Sequence, residues 1–269
     1  MTGPRWRVIV DNDFAGDPDG LVSLAHVLLT DDVQVELITC TALDPVLAHL
    51  AGIDPSATAS LGARTAHALL EVLGMTQHRL VAGAEDFAGN ASAAGQAIVD
   101  VCRADSDVPL AILCGGPLTN VAAALALDPE IRQRASLVWI GGSRSDAAEY
   151  NRDTDAEAAA SVLASGIPLV QVPLETYQRM RVSVAEVRAE LGHASFPGGW
   201  LAERLLDLPA FVTLHGVLTL GDSALAAVVG LDPDFAPDAG RIVADIDMRL
   251  LWGDLLAKLR LQHRETERR

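Results

Sequence analysis

Cysteine is scarce in this chain: three in 269 residues. Cys40, Cys102 and Cys114 are an odd number without CxxC spacing, which argues against a disulfide framework, and each lies in an apolar segment as a reduced core thiol would. Positive charge is scarce too. With 20 Lys and Arg against 36 Asp and Glu, the net charge is −16, so nucleic acid and anionic membrane are excluded as partners by repulsion. No apolar run approaches membrane-spanning length. The amino terminus, MTGPRWRVIVDND, enters a strand without a signal-peptide core, so a cytoplasmic location is expected. Repeats and low-complexity linkers are missing, and half the residues are hydrophobic. A single domain over 1–269 is therefore expected, with ample material for its core.

What is present is alternation. Apolar runs at Arg7 to Asp11, Val33 to Thr41, Leu110 to Cys114, Leu137 to Gly141 and Pro168 to Val172 read as strands. Helical spacing lies between and after them, near 19–30, 58–74, 91–104, 118–127, 155–165 and 183–191. This order predicts an α/β fold, a mainly parallel central sheet covered by helices. After Glu175 the strand signal fades, and helices are expected at Phe196 to Phe211, Asp222 to Gly230 and Leu250 to Leu261. The carboxyl-terminal part should be helical, with a fraying tail after Leu261.

The densest chemistry is in VIVDNDFAGDPDG, residues 8 to 20. A half-buried strand ends there in Asp11, Asp13, Asp17 and Asp19, and the spacing of Leu21, Leu24, Ala25 and Leu28 starts a helix. Carboxylates on a strand-to-helix turn occupy the usual ligand position of α/β proteins. Several close anions repel unless protonated, solvated or bridged by a cation. With no histidine or cysteine nearby, oxygen ligation favours Ca²⁺ or Mg²⁺ over zinc. One aspartate could simply cap the helix, but capping leaves the others unexplained.

A strand ending in DxD also opens the haloacid-dehalogenase phosphatases, but Ala15 stands where that family usually has Thr or Val, and no later lysine with paired aspartates follows. A longer match exists. DNDFAGDPDG resembles the DxDxxxDD signature of the calcium-dependent, inosine-uridine-preferring nucleoside hydrolases, with Pro18 separating the last two aspartates. GGPLTN (Gly115 to Asn120) resembles that family's glycine-rich turn. EYN (Glu149 to Asn151) followed by DAEAA (Asp155 to Ala159) resembles its EFN and DPEAA run, and GDSAL from Gly221 its late HD motif. Four motifs in family order, spanning about residues 7 to 231, outweigh any one of them.

The resemblance implies a Rossmann-like nucleoside hydrolase fold and hydrolysis of an N-glycosidic bond in a small ribosyl substrate. It also implies one Ca²⁺ and a homodimer or homotetramer. Carried over by position, Asp13 would be metal ligand and general base, Asp19 the bidentate ligand, Asp222 the distant carboxylate, and Gly115 a carbonyl donor. Asp17 would contact a ribose hydroxyl, with Asp44 at the place of another sugar contact, and Glu149 and Asn151 would hold the 5′-hydroxyl. Asp11 and Asn120 would support this shell.

Each assignment has a plainer alternative. Asp222, Thr119 and Asn120 could be helix caps, Glu149 and Asn151 solvated loop residues, and His215 structural. Trp139 and Trp252 suit a core, while Trp200 could pack or stack on a base. The chain also departs from the family pattern. Gly221 stands where many members have a histidine that protonates the leaving base, leaving His215 or Tyr177 as substitutes, or no acid at all. Ser143 replaces an Asn, TALD replaces VGN, and Pro18 could exchange the roles of Asp17 and Asp19. A divergent hydrolase is the main expectation, with a non-catalytic calcium-dependent ribose- or nucleoside-binding protein and, behind it, a Mg²⁺-dependent haloacid-dehalogenase-like phosphatase as the alternatives.

Overall fold

The computed structural model describes residues 3–16, 18–89, 91–236 and 240–266. Seven strands form one sheet: β1 (Trp6–Asn12), β2 (Val33–Cys40), β3 (Leu80–Ala82), β4 (Leu110–Cys114), β5 (Ala135–Ile140), β6 (Leu169–Val172) and β9 (Arg241–Ile242). Their order is β3-β2-β1-β4-β5-β6-β9, and every neighbouring pair is parallel. The short strands β7 (Arg181–Ser183) and β8 (Val217–Thr219) make a separate antiparallel ribbon.

Period-two alternation sorts side chains to the two faces. Val8 and Val10 of β1, with Ala111, Leu113, Val138 and Ile140, pack against the helices Pro18–Leu28, Thr58–Leu73 and Phe196–Leu206. Ile9, Leu37, Ile112 and Trp139 face the opposite layer, made by Ala93–Arg103, Thr119–Leu127 and Ala156–Ala164. Each fully buried Leu or Ile contributes about 1.5–3 kcal/mol of transfer free energy, so both layers are held by many modest contributions. Helices on both faces also explain a correction: β1, read as half-buried, is buried at all seven residues.

The carboxyl-terminal helix Met248–Thr266 docks on Pro18–Leu28 through a polar clamp. His26 Nε2 lies 2.7 Å from Asp254 Oδ2, and Lys258 Nζ reaches Thr30 Oγ1 at 3.0 Å as well as Asp254. That helix continues past Leu261 to Thr266, into the tail expected to fray; residues 267–269 lie outside the described residues.

The expected strands and helices recur with shifted ends. Strands persist after Glu175 as β7, β8 and β9, each two or three residues long and too short to show a period. The helix expected over Phe196 to Phe211 stops at Leu206, ahead of Pro209. The segments 183–191 and 222–230 begin as α-helix and widen into π turns at Val187–Leu191 and Ala227–Leu231. Cys40, Cys102 and Cys114 are free and buried. Among the described residues no helix is long and apolar enough to cross a membrane.

Candidate active site

Strand order reverses between β1 and β4, because the crossover from β1 leads one way to β2 and the later chain returns on the other side. The crevice at the carboxyl ends of such strands is where open parallel sheets bind ligands. Asp13 follows β1 directly and Gly115 follows β4, with Asp11 paired to Cys114 across the two strands.

Asp11 is fully buried beneath this crevice. Its Oδ1 accepts from the Thr39 hydroxyl at 2.6 Å and the Asn120 amide at 2.8 Å, and its Oδ2 from Thr41 at 3.3 Å and the Cys114 thiol at 3.5 Å. Burial raises its carboxyl pKa, and the four donors only partly offset this. Burial, reinforced by the charges of Asp11 and Asp13, pushes the Cys40 and Cys114 thiols far up, so neither is poised as a thiolate nucleophile. Asp11 is thus a saturated support beneath the crevice rather than an open phosphoryl acceptor.

Asn12 ties the aspartates together, a role sequence reasoning missed. Its Oδ1 accepts the Asp13 backbone N–H at 2.8 Å, and its Nδ2 donates to Asp222 Oδ2 at 2.8 Å. The Asp222 backbone N–H donates to Asp19 Oδ2 at 2.9 Å, and the Ser23 hydroxyl donates to the Asp222 carbonyl at 2.7 Å. Asp222 precedes the helix Ser223–Ala226 without capping it by its side chain, so the plain capping alternative does not describe it. Asn120 likewise spends its amide on Asp11 and the Cys40 carbonyl, and Thr119 donates to Asp155 at 2.6 Å.

Glycines permit this crowding. A Cβ at Gly115 would lie 2.5 Å from Asn12 Nδ2 and 2.9 Å from Asp222 Oδ2, and one at Gly20 would lie 2.6 Å from the same amide nitrogen. Asp13, Asp19 and Asp222 are all buried. The Asn151 amide donates to the Gly115 carbonyl at 2.9 Å and to the Ile140 carbonyl at 2.8 Å. A carbonyl oxygen has two lone pairs and a carboxylate about four, so these bonds leave acceptor capacity. The donors are hard oxygens in a glycine-lined cradle, and in kind they fit Ca²⁺. Among the described residues no three Asp, Glu, His or Cys side chains already surround one point at ligand spacing. Asp17, and with it the question of exchange with Asp19, lies outside the described residues.

Glu149 and Asn151 are buried rather than solvated. Glu149 caps the helix Tyr150–Thr154 and accepts from the Gly142 N–H at 2.6 Å and the Tyr177 hydroxyl at 2.8 Å. The Tyr177 ring stands against Gly221, where a Cβ would meet its Cδ2 at 3.1 Å. Ser143 donates to Glu175 at 2.7 Å, and this hydroxyl with nearby backbone N–H groups holds the Glu175 carboxyl down at about 2. Asp44 caps Pro45–Leu50 through Val46 and Leu47 N–H, and its own N–H donates to the Tyr150 hydroxyl at 3.3 Å. His215 is exposed, Trp139 is fully buried and donates to the Gly116 carbonyl at 3.2 Å, and Trp200 lies under the Arg204 guanidinium, 5.4 Å from its ring centroid.

A cavity of about 570 Å³ opens above the turn, with Asp13, Phe14 and Gly16 in its lining. Leu43, Leu47 and Ile53 line it together with Leu208, Pro209, Phe211 and Val212, and Tyr150, Arg204 and Asp207 add polar groups. Of the described residues expected to form the site, Asp13 lines this cavity. Asp11, Asp19, Asp44, Gly115, Asn120, Glu149, Asn151 and Asp222 are outside its lining, although Leu43 and Tyr150, the chain neighbours of Asp44 and of Glu149 and Asn151, belong to it. The segment 204–212 was not expected to contribute, because its apolar residues carry no motif.

Known proteins were compared with this arrangement. Residues 8–265 match the family described as inosine-uridine preferring nucleoside hydrolase. The chain is 37% identical over 107 residues to a pyrimidine-specific ribonucleoside hydrolase, RihA, of Enterobacter sp. (strain 638), a match covering 38% of this chain and 34% of the relative. A match of 38% identity over 97 residues covers 34% of this chain and 31% of an uncharacterized protein of Schizosaccharomyces pombe. These matches thus span about a third of each curated relative. In fold, an inosine-guanosine nucleoside hydrolase superposes with a TM-score of 0.73 at 18% identity, covering 95% of this chain and 98% of the other. A purine-preferring ribonucleoside hydrolase from Gardnerella vaginalis gives 0.70 at 19% identity, covering 96% and 99%.

Proposed function

The chain belongs to the inosine-uridine preferring nucleoside hydrolase family, and we propose that it hydrolyses the N-glycosidic bond of a ribonucleoside or related ribosyl compound, with Asp13 as general base. The observation that carries this reading is the position of Asp13, a buried carboxylate in the lining of the 570 Å³ cavity at the point where strand order reverses. Breaking the bond builds positive charge on the anomeric carbon and ring oxygen, which carboxylates stabilise more in the transition state than in the neutral substrate. The acidity of the turn is catalytic in this reading.

Asp13, Asp19, Asp222 and the Gly115 carbonyl would hold Ca²⁺, and Asp17 would contact a ribose hydroxyl. The bound cation supplies a lowered water pKa and a fixed orientation for the ribose diol. Asp13 takes the proton of the attacking water, a contribution of about 10²–10⁴-fold for a positioned base. Asn12 keeps Asp13 and Asp222 in register, while Asn120 and the threonines hold Asp11 below them. Glu149, Asn151 and Asp44 set the sugar side of the cavity through Tyr150 and the Gly115 carbonyl. Direct attack gives inversion at the anomeric carbon. A homodimer or homotetramer in the cytoplasm completes the reading.

The test is ribose release from purine, pyrimidine and modified ribonucleosides, with Ca²⁺ or with chelator, for wild type and Asp13→Ala. Calcium-dependent release lost in the variant supports the hydrolase. Ligand binding without release across the panel supports the ribose-binding alternative and refutes turnover.

A further inference from the structure

Cleavage of an N-glycosidic bond leaves an electron pair on the departing ring nitrogen, and some group at that end of the cavity must receive the negative charge. Among the described lining residues there is no histidine; the polar and charged side chains are Asp13, Thr65, Tyr150, Asp207 and Arg204. The two carboxylates oppose a developing anion. Tyr150 is on the sugar side, at the start of the helix that carries Asn151, with its hydroxyl accepting the Asp44 N–H. Arg204 is the cation in that lining.

Arg204 is also disposed to act. It lies in the last turn of Phe196–Leu206, at the start of the segment that supplies Asp207, Leu208, Pro209, Phe211 and Val212 to the cavity. Its guanidinium sits 5.4 Å from the centroid of Trp200, a half-buried ring packed on the core. A cation over an aromatic face is held in place without being neutralised. Among the described residues no carboxylate lies within ion-pair distance of Arg204, so its charge is not spent on a protein partner.

We infer that Arg204 stabilises the leaving group electrostatically, and that the substrate is an N-riboside whose heterocycle departs as an anion. The inference rests on the hydrolase reading above. In the step, the water oxygen bonds to the anomeric carbon while its proton passes to Asp13. The carbon–nitrogen bond breaks, and its electron pair goes to the ring nitrogen beside Arg204. The heterocyclic anion then takes a proton from solvent, and Asp13 returns its proton to solvent, which balances the reaction. A guanidinium cannot deliver that proton, since it stays charged across the working range, but it can hold the anion by charge-assisted hydrogen bonds.

The experiment compares wild type, Arg204→Gln and Arg204→Lys on inosine, uridine and p-nitrophenyl riboside, the last having a leaving group that departs with little assistance. Arg204 is exposed, so solvent screening keeps its effect below that of a buried donor to a developing anion; in Arg204→Gln, kcat/KM for the nucleosides should fall about 10-fold further than for p-nitrophenyl riboside. Arg204→Lys should recover part of that difference, and free guanidinium added to Arg204→Gln should recover part of it too. Equal losses on all three substrates, or no loss, with an active wild type would overturn the role of Arg204 and leave the hydrolase reading standing. A wild type that releases ribose from none of the three, nor from any purine, pyrimidine or modified ribonucleoside of the wider panel, would overturn both.

Discussion

Replacing Asn12 by alanine tests whether the aspartate turn is one mechanical unit. The change removes a hydrogen bond to the Asp222 carboxylate and another from the Asp13 backbone N–H, both 2.8 Å long and buried. A bond to a charged group is worth about 1.5–3 kcal/mol and a neutral one about 1 kcal/mol, so the cost is about 3 kcal/mol. That is a large part of the roughly 5–15 kcal/mol that holds a folded domain together. At about 2–4 °C per kcal/mol for a chain of this size, it corresponds to a loss on the order of 6–12 °C in Tm. Urea unfolding with and without chelator reads the stability, and ribose release reads the site. Asn12→Asp goes further, because it sets a carboxylate against Asp222 and the pair cannot both ionise at that range. The new carboxyl has its folded pKa raised, so its stability is present below the unfolded carboxyl value and lost as pH rises through the folded one. Asn12→Asp should therefore be least stable near neutral pH and recover on acidification. A cost below about 1 kcal/mol for Asn12→Ala, with unchanged activity, would show that the amide is not the link between the two aspartates.

Asp13→Asn should lower kcat by about 10²–10⁴ with a near-native melting curve, and a variant keeping about a tenth of the activity would exclude Asp13 as the base. Gly115→Ala should cost about 1–3 kcal/mol through overpacking, since its Cβ would sit 2.5 Å from Asn12 Nδ2, whereas Gly3→Ala meets nothing within 4 Å and should be neutral; equal melting temperatures would refute the close approach. Ca²⁺ should raise Tm in a concentration-dependent way, as any ligand of the folded state does, and Asp222→Asn should abolish the shift. The clamp to the last helix makes an acid-stability prediction. Burial lowers the His26 pKa, and bonds from His26 and Lys258 lower that of Asp254 to about 2. Both folded values are depressed, so their stability is present above the unfolded values and declines first below the usual histidine range and again between the usual carboxylate range and about pH 2. His26→Gln should flatten the first decline; an unchanged pH profile would remove His26 from the account.

The fold was legible in the sequence wherever burial imposes a period. Strands β1, β2, β4, β5 and β6 are largely apolar runs because helices cover both faces of the sheet, and β1, β4 and β5 give way directly to aspartate or glycine where the chain turns. β3 and β9 were not legible, being edge strands of three and two residues with partly or wholly exposed side chains. Their pairing depends on the neighbour already in place rather than on any local pattern. The π turns at Val187–Leu191 and Ala227–Leu231 continue helical spacing by one residue, and a periodicity of 3.6 does not separate the two forms.

The site divides along the same line, between what a residue type must do and what packing lets it do. Four aspartates in nine positions announce electrostatic strain, and strain of that kind needs a remedy visible in composition alone. Asn12 could have been suspected as part of that remedy, because a polar side chain inside a β-strand has to find a partner; its partner, Asp222, lies 210 residues away. Nothing local predicts such a distance. Arg204, Phe211 and Val212 carry even less signal, since an arginine at a helix end and apolar residues after a proline are ordinary on any surface. They become part of a site only because the helix Phe196–Leu206 stops short and turns its exit segment over Asp13. In the proposed reading the motifs mark the sugar end of the cavity and its carboxylates, and the leaving-group end falls to the segment 204–212, whose side chains stand apart from the aspartate turn. Specificity in this chain should accordingly respond to substitutions in 204–212 that leave the chemistry at Asp13 in place.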